Sequence, residues 1–314
     1  MQFLSVLLGL VFVISPAFSK PLAFITNQLD NSVSVIDTQS LKVIETLKVT
    51  GKPAGVAVNN PLKQVYISTP EAGGFAVLDS EKLKLLQTVK VGGGSLGITT
   101  DRSGERVFVA DWYQNTVAVF DTKTLQNITT LNVGKSPSGM TVSLDNRWLY
   151  VANRMDDSIS QIDLNKYSLR NTTKVGLHPF GITVDHKGER LYTANVESND
   201  ITVLDARNLK RLATVKVGAR PYAIALAMQD SLLFVTNQDD SSVTVLDTVT
   251  LKQLAEITVG DKPEGISTAA DDRHVYVANW FDNNVSVIDA AGLKVVDTIV
   301  TGEGSRAFGD FISQ

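Results

Sequence analysis

Short β-rich runs separated by turn residues recur along this chain. Leu233-Phe234-Val235-Thr236-Asn237 is one such run, and after a polar loop Val243-Thr244-Val245-Leu246-Asp247 alternates as a half-buried strand does. Asp247-Thr248 has the chemistry of an Asx-type turn, in which the side chain bonds its own downstream backbone. Leu251 then opens a third strand running through Ile257 to Val259. Past Gly260, Pro263 and Gly265, a fourth strand opens at Ile266. Four short strands with turns between them predict one blade of a β-propeller.

The same unit returns at a fixed period. An Asp closing a Val-x-Val-Ile/Leu-Asp pattern stands at Asp37, Asp79, Asp121, Asp163, Asp205, Asp247 and Asp289, each 42 residues from the next. A Gly follows the third strand at Gly92, Gly134, Gly176, Gly218, Gly260 and Gly302, with Thr50 as the exception. Pro53, Pro137, Pro179, Pro221 and Pro263 stand three residues on, with Ser95 and Ser305 replacing them, and Gly55, Gly97, Gly139, Gly181 and Gly265 precede the next strand. Repeated columns report packing rather than chemistry, since catalysis needs one site and not seven copies. The expected fold is all-β: a single seven-bladed propeller over residues 20–314. The chain enters near Ala23 at the second strand of a blade and ends on 306–312, which has the character of an innermost strand. The last strand should therefore complete the first blade and close the ring, removing open sheet edges.

Tyr150-Val151-Ala152-Asn153, Tyr276-Val277-Ala278-Asn279 and Phe234-Val235-Thr236-Asn237, with the Val-Gly-x-x-Pro turns that follow each blade, resemble the YVTN repeat of β-propellers. The resemblance covers the whole chain after residue 19. It implies a seven-bladed ring and an exported location, and it is far more specific for fold than for reaction. Members include archaeal surface-layer propellers, bacterial periplasmic propellers and noncatalytic subunits of periplasmic redox enzymes, and a cytochrome d1-type heme domain is a more distant, eight-bladed cousin.

The first nineteen residues differ from the rest. From Phe3 to Ile14 only Ser5 and Gly9 interrupt an apolar stretch, residues 1–19 carry no charged side chain, and Ala17-Phe18-Ser19 offers a small-residue cleavage site before Lys20. These features predict a secretory signal peptide over 1–19, a periplasmic or extracellular protein, and no transmembrane segment after cleavage. The 29 Lys and Arg against 33 Asp and Glu give a net charge of −4, which argues against nucleic acid as a partner. With no cysteine there is no disulfide framework, thiolate metal site or covalent c-type heme attachment.

Candidate site residues are sought where the repeats disagree. The rim formed by the loops after the Asn column and by the Gly-x-x-Pro turns carries Trp112, Tyr113, Arg154, Phe180, Arg220, Tyr222, Glu264, Trp280, Phe281 and Arg306. Aromatic residues and Arg bury much area at modest ordering cost, so this rim reads as a recognition surface. The three histidines are spread over both faces, His178 in a rim turn and His186 and His274 in turns opposite. Asp101-Arg102-Ser103-Gly104 and Asp185-His186-Lys187-Gly188 read as strand-joining turns. The reading is an exported, nonenzymatic, monomeric propeller that holds a protein partner or small ligand on its rim, with no metal and no cofactor, as an accessory of a redox or surface assembly. The second reading is a hydrolase or lyase using Glu264, Arg306 and His178 at the channel mouth, and the third is a DNA-binding propeller.

Overall fold

A computed structural model of the protein describes residues 21–314, so the leader expected over 1–19 lies outside the described residues. The seven repeats form seven blades around one channel. In the sixth blade the strands are Pro221–Ala227, Leu232–Asn237, Ser242–Asp247 and Gln253–Thr258, paired in that order as an antiparallel meander. The two middle strands are buried almost end to end, because neighbouring blades cover both of their faces, and their sequences accordingly run apolar or Ser/Thr with little true alternation. The outermost strand, on the perimeter, is largely exposed.

One boundary differs from expectation. Leu251 belongs to the turn and not to the third strand, with φ +57°. The Asp247 carboxylate accepts the Val249 and Thr250 amides at 3.1 and 2.7 Å, and the Asp247 carbonyl accepts the Leu251 amide at 2.8 Å, so the chain keeps turning until Gln253.

The Asn and Gly columns lock together. Asn237 Nδ2 donates to Ser242 Oγ at 3.0 Å and Thr244 Oγ1 at 2.8 Å, which ties the two middle strands at their upper end. A Cβ placed on Gly218 would stand 2.6 Å from that amide, so this position accepts glycine alone. The same side-chain pattern recurs at Asn27, Asn153, Asn195 and Asn279.

Closure uses the C-terminal segment. Blade one has three of its own strands, Leu22–Asn27, Ser32–Asp37 and Lys42–Lys48, and the chain end supplies the fourth through antiparallel bridges Asn27↔Ser305 and Ala23↔Ile312. Arg306 N–H donates to the Thr26 carbonyl and Phe24 N–H to the Phe311 carbonyl, both at 2.9 Å. Between these bridges Phe308–Asp310 leans across to pair in parallel with Gly55–Asn59 of blade two, so the last segment joins two blades and not one.

Candidate functional site

The channel has two mouths of different character. The upper mouth lies on the face of the Gly-x-x-Pro turns, and an irregularity in the innermost strands shapes it. In blades three to seven the pairing of these strands shifts between the Pro position and the residue three further on, as between Pro179 and Ile182 or Pro221 and Ile224. The two residues between are released from the ladder, and such bulges re-aim side chains. Phe180, Tyr222 and Glu264 occupy these released positions, and Arg306 stands in the same column of the repeat on the closing segment.

These four fill the upper mouth. Phe180 and Tyr222 stack with centroids 4.0 Å apart, and Phe308 meets Phe180 edge-on at 5.3 Å. Arg306 Nε lies 2.6 Å from Glu264 Oε2, Arg306 Nη2 donates to the Tyr222 hydroxyl at 2.9 Å, and Gln238 Nε2 donates to Glu264 Oε1 at 3.0 Å. Burial pushes the Glu264 carboxyl up while Arg306 holds it down. Burial likewise works to lower the Arg306 guanidinium, but the attraction of Glu264 and the Tyr222 oxygen outweighs it and the net shift is upward. The 2.6 Å contact decides for the charged pair, because two desolvated opposite charges at that distance stabilise each other more than either is stabilised by losing its charge. The Tyr222 hydroxyl, buried and facing Glu264, is raised to about 12.

Around this plug the remaining rim residues diverge. Arg154 lies over Trp112 and Phe180, 5.8 and 5.9 Å from their ring centroids. Arg220 pairs with Glu197 at 2.8 Å, and His178 stands 3.9 Å from the same carboxylate. Both His178 and Arg220 sit in left-handed backbone, with their amides taken by Asp157 Oδ1 and Asn199 Oδ1 of the preceding blade. Tyr113 projects into solvent with 73% exposure, and Trp280 and Phe281 pack on each other at 4.7 Å in the seventh blade. The structure thus gathers Phe180, Tyr222, Glu264, Arg306, Arg154 and Trp112 and leaves Tyr113, Trp280 and Phe281 outside the cluster. Glu264 and Arg306 are spent on each other and present no open acid or base.

Below the plug the channel narrows to a cavity of about 70 Å³ walled by Ile98, Met140, Ile182, Ile224, Ile266 and Phe308. It then widens at the basal mouth into a funnel of about 870 Å³. Val58, Val184, Leu226, Ala269 and Ile312 give this funnel apolar walls, and Arg102, His186, Lys187 and Asp230 stand among its polar lining. Among the described residues neither Arg102 nor Lys187 has an ion pair. Asp230 holds His186 twice, accepting its backbone amide at 2.6 Å and meeting ring Nδ1 at 2.5 Å, which leaves Nε2 as the open nitrogen of the ring. Met228, Gln229 and Asp230 are successive left-handed residues at φ +56°, +56° and +60°. Each costs on the order of 1–2 kcal/mol in an L-residue, and such strain gathers at functional sites. Asp272 steadies this turn by accepting the Gln229 amide on Oδ2 at 2.5 Å.

Sequence reasoning missed this funnel. The runs at 101–104 and 185–188 are the turns expected, closed by Gly104 and Gly188 amides on the Asp101 and Asp185 carbonyls, but they also line the wide mouth. A cation shortly behind Asp did not single them out, because Arg147 and Arg273 stand likewise in the basal turns of other blades.

Similarity to known proteins bears on what such a channel serves. The protein is similar in structure to hydrazine synthase from Kuenenia stuttgartiensis (20% identity, 85% of this chain and 92% of that chain, TM-score 0.77). It is similar to a functionally unknown protein from Desulfotomaculum acetoxidans (14% identity, 92% and 99%, TM-score 0.79) and to the dihydro-heme d1 dehydrogenase NirN (15% identity, 92% and 76%, TM-score 0.71). No curated protein matches in sequence. A model of the seven-bladed lactonase propeller matches residues 121–208, and the model of the cytochrome D1 heme domain matches residues 3–144 and 222–307. These family matches overturn the expectation of a plain nonenzymatic scaffold, because both describe propellers that carry chemistry or a cofactor. With most of its length matched by one model, the chain belongs to the cytochrome D1 heme domain family.

Proposed function

We propose that this protein is an exported heme-binding propeller that holds a heme-type macrocycle in the basal funnel. The observation that carries the reading is the funnel itself, about 870 Å³ with apolar walls and one oriented histidine. That volume lies within the range of about 300–1,000 Å³ typical of small-molecule and cofactor sites. The reading departs from the expectation that no cofactor is bound.

The residues present fit the group at one mouth and not at the other. The upper mouth is filled by Phe180, Tyr222, Phe308 and the Arg306–Glu264 pair, so a macrocycle there would have to displace a buried ion pair. Among the described residues no three metal-ligating side chains converge, as a bare ion would need. A macrocycle brings its own nitrogens, so one histidine would be enough to hold it. His186 suits that role: the Asp230 carboxylate meets ring Nδ1 and fixes the ring with Nε2 free, the arrangement common to metal-binding histidines. Arg102 and Lys187 would supply unpaired cations for peripheral carboxylates, and Val184, Leu226 and Ile312 in the mixed lining would meet the ring faces. When bound, such a group supplies one-electron redox chemistry or the capture of small ligands at its iron. The chain's own part is to orient, desolvate and hold it.

The resemblance to YVTN propellers, the leader over residues 1–19, a mature domain over 20–314 and a periplasmic or extracellular location belong to the same reading. Among the described residues no helix is long and apolar enough to cross a membrane.

Titration with hemin, followed by absorbance in the Soret region, tests the proposal. Saturation at one equivalent is expected, with affinity reduced at least about tenfold by His186→Ala, the scale of a lost metal-ligand contact. Absence of saturable binding, or identical binding by the variant, would overturn it.

A further inference from the structure

We propose that the upper mouth carries a second binding site, built around Arg154, for a small organic acid with an apolar body. This site lies on the face opposite the basal funnel and does not depend on it.

Arg154 is set apart from the other arginines of the rim. Arg306 is paired with Glu264, Arg220 with Glu197, and Lys262 with Asp239 at 2.6 Å. Among the described residues the Arg154 guanidinium has no ion pair and no hydrogen bond. The two carboxylates that follow it in sequence are already engaged: Asp156 Oδ2 accepts the Lys135 amide at 2.7 Å, and Asp157 Oδ1 accepts the His178 amide at 2.8 Å. Burial lowers the Arg154 pKa, with Arg220 and Arg306 adding to that effect, and the opposing pull of Tyr222 and of the more distant Glu197 does not make up for it. A partly desolvated guanidinium with open donors matches a planar carboxylate, which it binds through two parallel hydrogen bonds.

The surroundings specify the rest of the ligand. Trp112 and Phe180 flank the guanidinium. The loops that carry Trp112, Arg154 and Phe180 also hold Tyr113, Met155 and Leu177, which are 73%, 53% and 51% exposed, three large apolar side chains left in water around the rim of that cluster. Inorganic oxoanions would use the cation and leave these side chains wet. An aromatic or short aliphatic acid would use both.

Calorimetric titration with benzoate, and separately with sulfate at equal ionic strength, tests the assignment. Saturable benzoate binding is expected in the wild type. It should weaken at least about tenfold in Arg154→Gln and less in Arg154→Lys, which keeps the charge but loses the fork. Arg147→Gln removes the same charge from a basal turn, where Arg147 lies over Trp148, and should leave binding unchanged. Unchanged circular dichroism and melting temperature would establish that each variant is folded. No benzoate saturation, benzoate binding indifferent to Arg154, or sulfate binding as tightly as benzoate would each overturn the proposal.

Discussion

At the residue scale the Arg306–Glu264 pair shows why a rim of promising side chains became a plug. Arg306 is contributed by the last strand and Glu264 by the seventh blade, and both side chains reach the axis where the blades converge. Arg306→Met leaves a buried carboxylate without its partner and should destabilise the protein by about 3–5 kcal/mol, whereas adding Glu264→Gln should recover most of that loss. Chemical denaturation of the single and double variants checks this, and equal losses in the two would refute the pairing. In the sequence these residues were legible as unusual, because their columns hold Ala54 or Ser138 in other repeats. Their inward aim was not legible, since at Glu264 it follows from a bulge in the innermost strand and at Arg306 from the return of the chain end to blade one, neither of which marks the hydrophobic pattern.

At the scale of the element, the turn closing the second and third strands of each repeat links acid sensitivity to the repeat itself. The Thr124 amide and hydroxyl hold the Asp121 carboxyl below the usual carboxylate range, and the Thr250 amide and hydroxyl do the same at Asp247. A folded pKa below the unfolded value contributes stability that is complete above the usual carboxylate range and is lost as pH falls through the depressed folded value. Melting temperature should therefore drop as pH is taken below about 4, and the Asp121→Asn/Asp247→Asn variant should melt lower at neutral pH with a shallower acid decline. A variant curve parallel to the wild type would reject that role. These Asp turns, like the Asn and Gly columns, were readable because one packing problem is solved seven times with the same residues. The basal funnel was not readable, because Arg102, His186 and Lys187 sit in turns whose local chemistry is fully explained by turn formation. Only the ring brings those turns around a common axis.

For the whole molecule, closure by the chain end is the feature on which every other depends. Deleting 305–314 removes both bridges to blade one, the parallel strand to blade two, and buried Phe311 and Ile312 from the core cluster they share with Phe24 and Val56. It also opens both mouths, since Arg306 and Phe308 belong to the plug and Asp310 and Ile312 to the funnel wall. The truncated chain should lose cooperative melting, and an unchanged melting temperature would show that the ring does not need its clasp.

The account's central claim is that the basal funnel holds a heme-type group through His186. The most direct measurement is a crystal structure of the protein soaked with hemin. The account predicts density for a macrocycle between Val184 and Ile312, its iron bonded to His186 Nε2 and its carboxylates near Arg102 and Lys187. Density at the upper mouth, or an iron in the funnel without His186 as a ligand, would contradict it.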